Sequence, residues 1–450
     1  MVKVITYGTY DLLHHGHIRL LERAKTLGDY LIVGVTSDDF DKTRGKINVQ
    51  QTLEDRVDAI RATGIADKII IEEYEGQKID DIKKYGIDIF TVGSDWVGKF
   101  DYLKEYCKVV YLARTQGVSS SEIRDKKSLI RIGIVGYASY LNRVFVESKV
   151  VNGANVTSLL SNDTSQLHEN MLSALEVTDD WQQFLEGVDA VYIHSNPTRH
   201  FEECRLAIES GKHVLCESPV AMTREEAQVL IEKSKEKNVV FMESLRTAYS
   251  TAYARMLLLI KSGRIGDVVA IDSTCTSLST NKNASNVEGT WSSMTAWGST
   301  GLLPAFQILG TDYKNISIVS RCHIEKNKDE FSKISVLYDN AVATIKVGTG
   351  VKSEGELIIS GTKGYVYVPA PWWKMDYFEI RYENPASNKR YFYQLDGEGI
   401  RYEWVAFLKM INASAKKDII GFTDNISRNV TEAIADVMGM FTRGENVDYI

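Results

Sequence analysis

Short apolar runs rich in β-branched residues alternate with amphipathic stretches through the first part of the chain: Val2–Tyr7, Ile18–Leu27, Tyr30–Val35, Glu54–Thr63, Lys68–Ile71, Phe90–Val92 and Val109–Leu112. A strand covered on both faces needs an unbroken apolar run, and the helical stretches between supply the cover, so this pattern predicts βαβ units on a parallel sheet. A polar stretch at Asp125-Lys126-Lys127-Ser128 interrupts it, and Leu129–Val135 opens a second series of the same kind. That series runs through Ala190–His194, a helical Arg199–Ser210 stopped at Gly211, and Lys212–Cys216. From about Val268 the pattern changes. Val268–Thr274, Lys333–Tyr338, Ala341–Val347, Glu356–Ser360 and Tyr365–Val368 read as strands without intervening helices, and a helical segment near Glu403–Ile411 closes the chain. Such strands predict a largely antiparallel sheet. The expected organisation is an α/β domain over 1–127, a second over 128–250 and an α+β domain over 251–450.

A length of 450 residues supports several cores, and 44% hydrophobic with 25% charged residues excludes a disordered chain. A formal charge of −7 gives no global field to attract nucleic acid or anionic lipid, so a bound anion must be held locally. No apolar stretch reaches the ~20 residues a membrane span needs, and the start runs into a strand without a leader, which predicts a cytoplasmic protein. Cys107, Cys204, Cys216, Cys275 and Cys322 are scattered and never in C-x-x-C spacing, as expected of reduced thiols.

Candidate chemistry begins after the first strand, at Gly8-Thr9-Tyr10-Asp11-Leu12-Leu13-His14-His15-Gly16-His17. His14 and His17, at i and i+3, share a face where a helix starts and its amides carry partial positive charge. Gly16 lets a ligand approach the backbone, and the combination suits a phosphate. Farther on, Arg114-Thr115-Gln116-Gly117-Val118-Ser119-Ser120-Ser121-Glu122-Ile123 ends a strand in a glycine turn and opens a helix with hydroxyls. Its amides and serines can hold pyrophosphate oxygens beside the forked Arg114, although Ser119 and Glu122 also have the spacing of a capping box that needs no ligand. Lys42-Thr43-Arg44-Gly45-Lys46 supplies a third, basic wall.

These motifs, with Val92–Leu103 (V-G-S-D-W-V-G-K-F-D-Y-L), resemble the glycerol-3-phosphate cytidylyltransferases of the nucleotidyltransferase superfamily over residues 1–126. The resemblance implies attack of a polyol phosphate on the α-phosphorus of CTP, giving a CDP-alcohol and pyrophosphate with Mg²⁺. It makes His14, His17, Lys46 and Arg114 catalytic. Thr9, Tyr10, Asp11, Gly16, Lys42, Arg44, Ser119, Ser120 and Ser121 complete the CTP site, with Thr9 and Asp11 shaping it and assisting the metal. Asp38, Arg56, Asp95 and Trp96 border the polyol phosphate.

In the second series Arg131–Gly136 is followed by Tyr137-Ala138-Ser139-Tyr140-Leu141, where a dinucleotide fold carries G-x-G-x-x-G. Gly136 is kept; Ala138 narrows the approach of pyrophosphate, and Leu141 pushes the helix from the sheet. Val156–Ser161 ends in Ser161-Asn162, where an acid would bind ribose. With Tyr192–His200, Gly211–Pro219, Glu354–Ile358 and Gly361–Gly364, residues 129–450 resemble the glucose-fructose oxidoreductase and inositol dehydrogenase family. The resemblance implies a Rossmann NAD(P)-binding-like domain, an antiparallel sheet domain and a homodimer formed through that sheet. It also implies dinucleotide contacts from Gly136, Tyr137, Ala138, Ser139, Ser161, Asn162, Ser195, Asn196, His200, Glu217 and Ser218. The family's lysine in E-K-P is Ser218 here, and where it carries an aspartate and a histidine the chain reads Gly301-Leu302-Leu303-Pro304-Ala305-Phe306. Acid–base help worth roughly 10²–10⁴-fold must then come from elsewhere, with His200, Tyr249 and Trp297 as candidates, or the redox step is lost.

Three readings follow, the third being that the second half is an active oxidoreductase on an unrelated, unphosphorylated sugar. In the first, one half reduces a keto-sugar phosphate with NAD(P)H and the other converts the alditol phosphate to a CDP-alditol for a teichoic-acid-like or capsular polymer. In the second, a cytidylyltransferase carries a non-catalytic binding or oligomerisation module.

Overall fold

The structure, a computed structural model, describes residues 1–38, 49, 51–74, 76–113, 129–278, 292–323, 328–393, 395–414 and 426–450. Elements counted below are those of the described residues. The chain divides into two compact units, Met1–Leu129 and Ile130–Ile450. The boundary expected at 127 falls in the undescribed 114–128, and the one expected at 250 falls inside the second unit.

In the first unit β1 (Lys3–Gly8), α1 (His15–Lys25), β2 (Tyr30–Thr36), α2 (Leu53–Ala62), β3 (Lys68–Glu72), α3 (Gln77–Tyr85), β4 (Ile89–Gly93) and β5 (Lys108–Leu112) alternate as the apolar runs predict. The strands are parallel in the order β3-β2-β1-β4-β5. Val4, Leu21, Ala24, Leu31, Val33 and Ile60 pack on one face, and Ile5, Ile32, Ile82 and Phe90 on the other. Strand order reverses between β1 and β4, and the loops leaving their carboxyl ends frame a crevice.

The second unit begins with another parallel sheet, built from β6 (Ile130–Gly136), α4 (Leu141–Ser148), β7 (Ala154–Leu160), α5 (Glu169–Leu172), β8 (Glu176–Thr178), α6 (Trp181–Glu186), β9 (Ala190–His194), α7 (Pro197–Glu209), β10 (His213–Glu217), α8 (Arg224–Glu236) and β11 (Phe241–Ser244). Its order, β11-β10-β9-β6-β7-β8, reverses between β6 and β9. After α9 (Arg246–Tyr249) and α10 (Thr251–Lys261) come β12 (Val268–Thr276), a π-helical turn (Met294–Gly298), α11 (Ser299–Ile308), β13 (Asn315–His323), β14 (Lys328–Leu337), β15 (Val342–Gly348), β16 (Leu357–Gly361), β17 (Tyr365–Val368), β18 (Tyr377–Arg381), β19 (Lys389–Phe392), α12 (Ile400–Ser414), α13 (Arg428–Arg443) and β20 (Val447–Tyr449). The second sheet runs β19-β18-β17-β16-β12-β15-β14-β13-β20.

The second sheet is largely antiparallel, as expected, with two parallel pairings, β12 with β15 and β13 with β20. Two other expectations are corrected. A helix does intervene between β12 and β13: α11 is buried nearly all round and so shows no amphipathic period, and its Gly301 sits where a Cβ would meet Ile345 Cγ2 at 2.6 Å. The segment near 403–411 does not close the chain, since α13 and β20 follow it.

Candidate functional site

The first crevice is built on the loop from β1 to α1. His14 caps α1: its Nδ1 accepts the Gly16 N–H at 3.1 Å, which leaves the ring proton on Nε2. His17, one turn on, stacks face to face with His14 at 3.8 Å between centroids, and the buried Tyr10 ring meets His17 edge-on at 5.5 Å. Burial pushes the Tyr10 hydroxyl's pKa up, so it stays neutral. Tyr10 and Leu12 hold φ of 55° and 48°, a region that costs a branched or bulky residue energy, and the loop is pinned there. Leu12 N donates to Gln51 Oε1 at 2.7 Å and Gln51 N donates to Asp11 Oδ1 at 2.9 Å.

Arg56 lies wholly inside the fold. Its Nη1 donates to the carbonyls of Thr9 at 2.6 Å and Thr36 at 2.9 Å, and its Nη2 pairs with Asp38. It therefore fixes the ends of β1 and β2, and the expectation that it borders the substrate changes to a role in positioning Thr9 and Asp38. Trp96, after β4, packs on Phe100 at 5.8 Å with Lys99 over its ring, and the Asp95 side chain lies outside what is described. Lys42, Arg44, Lys46, Arg114, Ser119, Ser120 and Ser121 also lie outside the described residues.

Beneath this crevice is a polar layer that the sequence reading missed. Buried Lys78 pairs with buried Glu72, which also accepts Thr36 Oγ1 at 2.9 Å, and Tyr7 donates to Asp81 at 2.9 Å. Charged residues inside otherwise apolar strand and helix patterns were the available signal.

In the second unit Gly136 ends β6 with a φ of 142°, and a Cβ there would stand 2.2 Å from the His194 carbonyl on β9. This bare backbone at the point of strand reversal fits the close approach of a dinucleotide. Tyr137, Ala138 and Ser139 follow it, while Leu141 is fully buried in the core. Ser161 and Asn162 stand at the end of β7, with Ser161 Oγ donating to Asp163 O at 2.8 Å.

Other expected contacts turn inward. Ser195 bonds Glu203, and Asn196 Oδ1 caps α7 through Thr198 N at 3.1 Å. His200 is fully buried with its ring nitrogens 2.8 and 3.2 Å from the Pro219 and Ser195 carbonyls, and burial lowers its pKa to about 4. It packs this turn and is dropped as a cofactor contact. Ser218 Oγ donates to Glu243, whose other oxygen accepts Thr431 Oγ1 at 2.6 Å. Burial raises the Glu243 pKa to about 7. Tyr249 donates to the Glu243 carbonyl at 3.0 Å and Trp297 to Ser277 Oγ at 3.2 Å, so neither offers a proton at the crevice. Gly301–Phe306 contributes buried apolar surface to α11.

What gathers at the strand ends is Glu217, which the sequence reading named, together with Tyr140, Arg246 and Glu403, which it overlooked. Tyr192 donates to Glu217 at 2.5 Å, and Ser244 Oγ donates to Glu403 at 2.8 Å. Burial, reinforced by Glu217, raises the Glu403 carboxyl well above its usual range. Tyr140 meets the His194 ring at 4.9 Å, and the Arg246 guanidinium lies 5.2 Å from the Tyr140 ring. Burial, followed by the nearby Arg246, lowers the His194 pKa to about 3. Burial works against the charge on Arg246, but Tyr140, Glu217 and Glu403 outweigh it and its pKa is raised.

Residues 5–126 match the family described as Cytidylyltransferase-like, and residues 130–245 the one described as Oxidoreductase family, NAD-binding Rossmann fold. The chain is 51% identical over 124 residues to a glycerol-3-phosphate cytidylyltransferase of Bacillus spizizenii, spanning 28% of this chain and 95% of that protein. It is 29% identical over 149 residues to a 1,5-anhydro-D-fructose reductase of Ensifer adhaerens, spanning 31% of this chain and 43% of that one. The solved structure of a 3-ketoreductase from Actinomadura kijaniata, in complex with NADP, superimposes with a TM-score of 0.62 at 16% identity over 72% of this chain and 100% of its own. At that identity the likeness is one of fold.

Proposed function

The chain belongs to the cytidylyltransferase-like family through residues 5–126 and carries an NAD-binding Rossmann fold of the oxidoreductase family behind it, and from this premise we propose that its first unit transfers a cytidylyl group from CTP to a small polyol phosphate. The acceptor is glycerol 3-phosphate or a related alditol phosphate. One of its phosphate oxygens forms a bond to the α-phosphorus of CTP as the bond to the β-phosphate oxygen breaks, releasing pyrophosphate. The stacked His14 and His17 at the head of α1 carry this reading. His14, with its proton set on Nε2, donates to a nonbridging oxygen while the helix amides add partial positive charge, so the protein stabilises the charge that builds up. Asp11 is the carboxylate of this loop that would help hold Mg²⁺, which would offset the charge of the substrate phosphates.

In the same proposal the second unit reduces a keto-sugar phosphate to the alditol phosphate that the first unit consumes. The bare backbone at Gly136 and the loop Tyr137–Ser139 are the residues that would hold a nicotinamide dinucleotide, which supplies the hydride when bound. The CDP-alditol would serve synthesis of a teichoic-acid-like or capsular polymer in the cytoplasm. A second reading, that this unit is a non-catalytic module, is favoured by one observation: the residue at the family's lysine position, Ser218, is spent on Glu243.

The test is product formation followed by mass spectrometry, from CTP, Mg²⁺ and C3–C6 keto-sugar phosphates with and without NADH and NADPH, beside a panel of alditol phosphates. A CDP-alditol formed from a keto precursor when nicotinamide is present supports both activities. Product from alditol phosphates alone, indifferent to nicotinamide, leaves the module reading. No CDP product from any acceptor overturns the proposal for the first unit.

A further inference from the structure

At the rim of the second unit's crevice, one carboxylate is ringed by cations. The loop Gly397-Glu398-Gly399 precedes α12, and both glycines have positive φ, at 62° and 84°. Buried Glu147 on α4 clamps this loop, accepting Glu398 N at 2.5 Å, Arg401 N at 3.1 Å and Arg401 Nε at 3.2 Å. Glu398 is thereby fixed in place. Around its carboxylate stand Arg143 at 3.4 Å, Arg246 at 3.9 Å, and Lys374 in a close ion pair. Three cations from α4, α9 and the turn before β18 converge on Glu398, and Arg246 also faces the Glu217 and Glu403 carboxyl groups.

Arg246 is the informative member. It has neighbours on most sides, yet its side chain is 29% exposed, as expected of a group in the wall of a cleft. Among the described residues its guanidinium makes one hydrogen bond, from Nη1 to the Glu398 carbonyl at 3.2 Å. Most of its five N–H donors are therefore uncommitted, in a fork that matches a phosphate's oxygens. Lys374 and Arg143, 32% and 62% exposed, lie within reach of the same solvent. Arg246 also lies against Tyr140, which touches His194 where strand order reverses, so the cations border the sheet end at which the fold would hold its dinucleotide.

We propose that Arg246, Lys374 and Arg143 are the phosphate handle of the second unit, which therefore takes a small phosphomonoester, a ketose phosphate or its alditol phosphate. Glu398 and Glu147 are positioning residues that hold the three cations together. The inference rests on the reading of the second unit as acting on a phosphorylated polyol precursor. It adds the site and the charge requirement: an unphosphorylated polyol lacks the group these cations recognise.

Calorimetric titration of the full chain tests this, with the first unit's site saturated by CDP-glycerol and dihydroxyacetone phosphate, ribulose 5-phosphate and unphosphorylated dihydroxyacetone as probes. The wild type is expected to bind the phosphorylated probes and not dihydroxyacetone. Arg246→Gln and, as a rim change that spares the buried carboxylates, Lys374→Gln are each expected to weaken binding roughly tenfold to a hundredfold, the loss of a charge-assisted bond. Cytidylyl transfer to glycerol 3-phosphate should be unchanged in both variants, and the second unit's own thermal transition should keep its Tm, which shows that the unit carrying the substitutions folds. NADPH fluorescence titration should also be unchanged; a parallel loss of NADPH binding would give the cations to the dinucleotide and overturn the proposal. Equal ketose phosphate affinity in wild type and both variants overturns the handle while leaving the phosphorylated-substrate reading intact. If the wild type binds dihydroxyacetone equally well, or binds no ketose phosphate, both fail.

Discussion

Gly136→Ala places a methyl group 2.2 Å from the His194 carbonyl at a backbone angle that L-residues avoid. The expected cost is about 3 kcal/mol or more in urea unfolding of the second unit, with NADPH binding lost in parallel. Arg56→Met leaves the Thr9 and Thr36 carbonyls without their donor inside the first unit. Stability should fall by about 3 kcal/mol, and kcat/KM for cytidylyl transfer should drop with it, because Thr9 opens the histidine loop. Glu243 gives a pH dependence. Burial raises its pKa from 4.5 to about 7 despite bonds from Ser218, Thr431 and the Val220 amide. The folded state binds this proton more tightly than the unfolded chain, so the contribution is whole below pH 4.5 and is lost as the pH rises through 7, about 3 kcal/mol in all. Glu243→Gln should therefore gain thermal stability over wild type at pH 8, with the gap closing by pH 5, as read from Tm at each pH; an unchanged gap would remove this account.

Each helix is set by its ends as much as by its face. Thr52 and Asp55 form a reciprocal capping box on α2, adjacent to Gln51, which holds Asp11 and Leu12. Thr52→Ala should cost about 1 kcal/mol in denaturant unfolding and should lower kcat for cytidylyl transfer as the loop's anchor loosens. Strands with a clear apolar run were legible from sequence: all five of the first unit, and β6, β7, β9, β10, β12, β14, β15, β16 and β17 of the second. The elements that escaped did so for physical reasons. Helix α11 is buried nearly all round and so shows no amphipathic period. Helix α13 does carry a periodic face, Val430, Ile434, Val437 and Met438, and was within reach of the same reasoning. At the sites, the histidine loop was legible because a phosphate needs that chemistry near one helix start. The Arg246, Glu398 and Glu403 cluster was not, since its members are far apart in sequence and meet through the tertiary fold.

Two compact units on one chain, each with its own sheets, predict two separable unfolding transitions. Scanning calorimetry should show CTP with Mg²⁺ raising one and NADPH raising the other, each by linkage at its own unit. A single transition moved equally by both ligands would mean that the units unfold together. The longest sheet of the chain poses a different problem, that of its margins. It runs out at β19 and β20, strands of four and three residues, with Lys389 and Arg390 exposed on the first and Asp448 on the second. Margins so short and charged present little unpaired backbone for a neighbouring chain to extend, which protects the crowded protein against edge-to-edge aggregation.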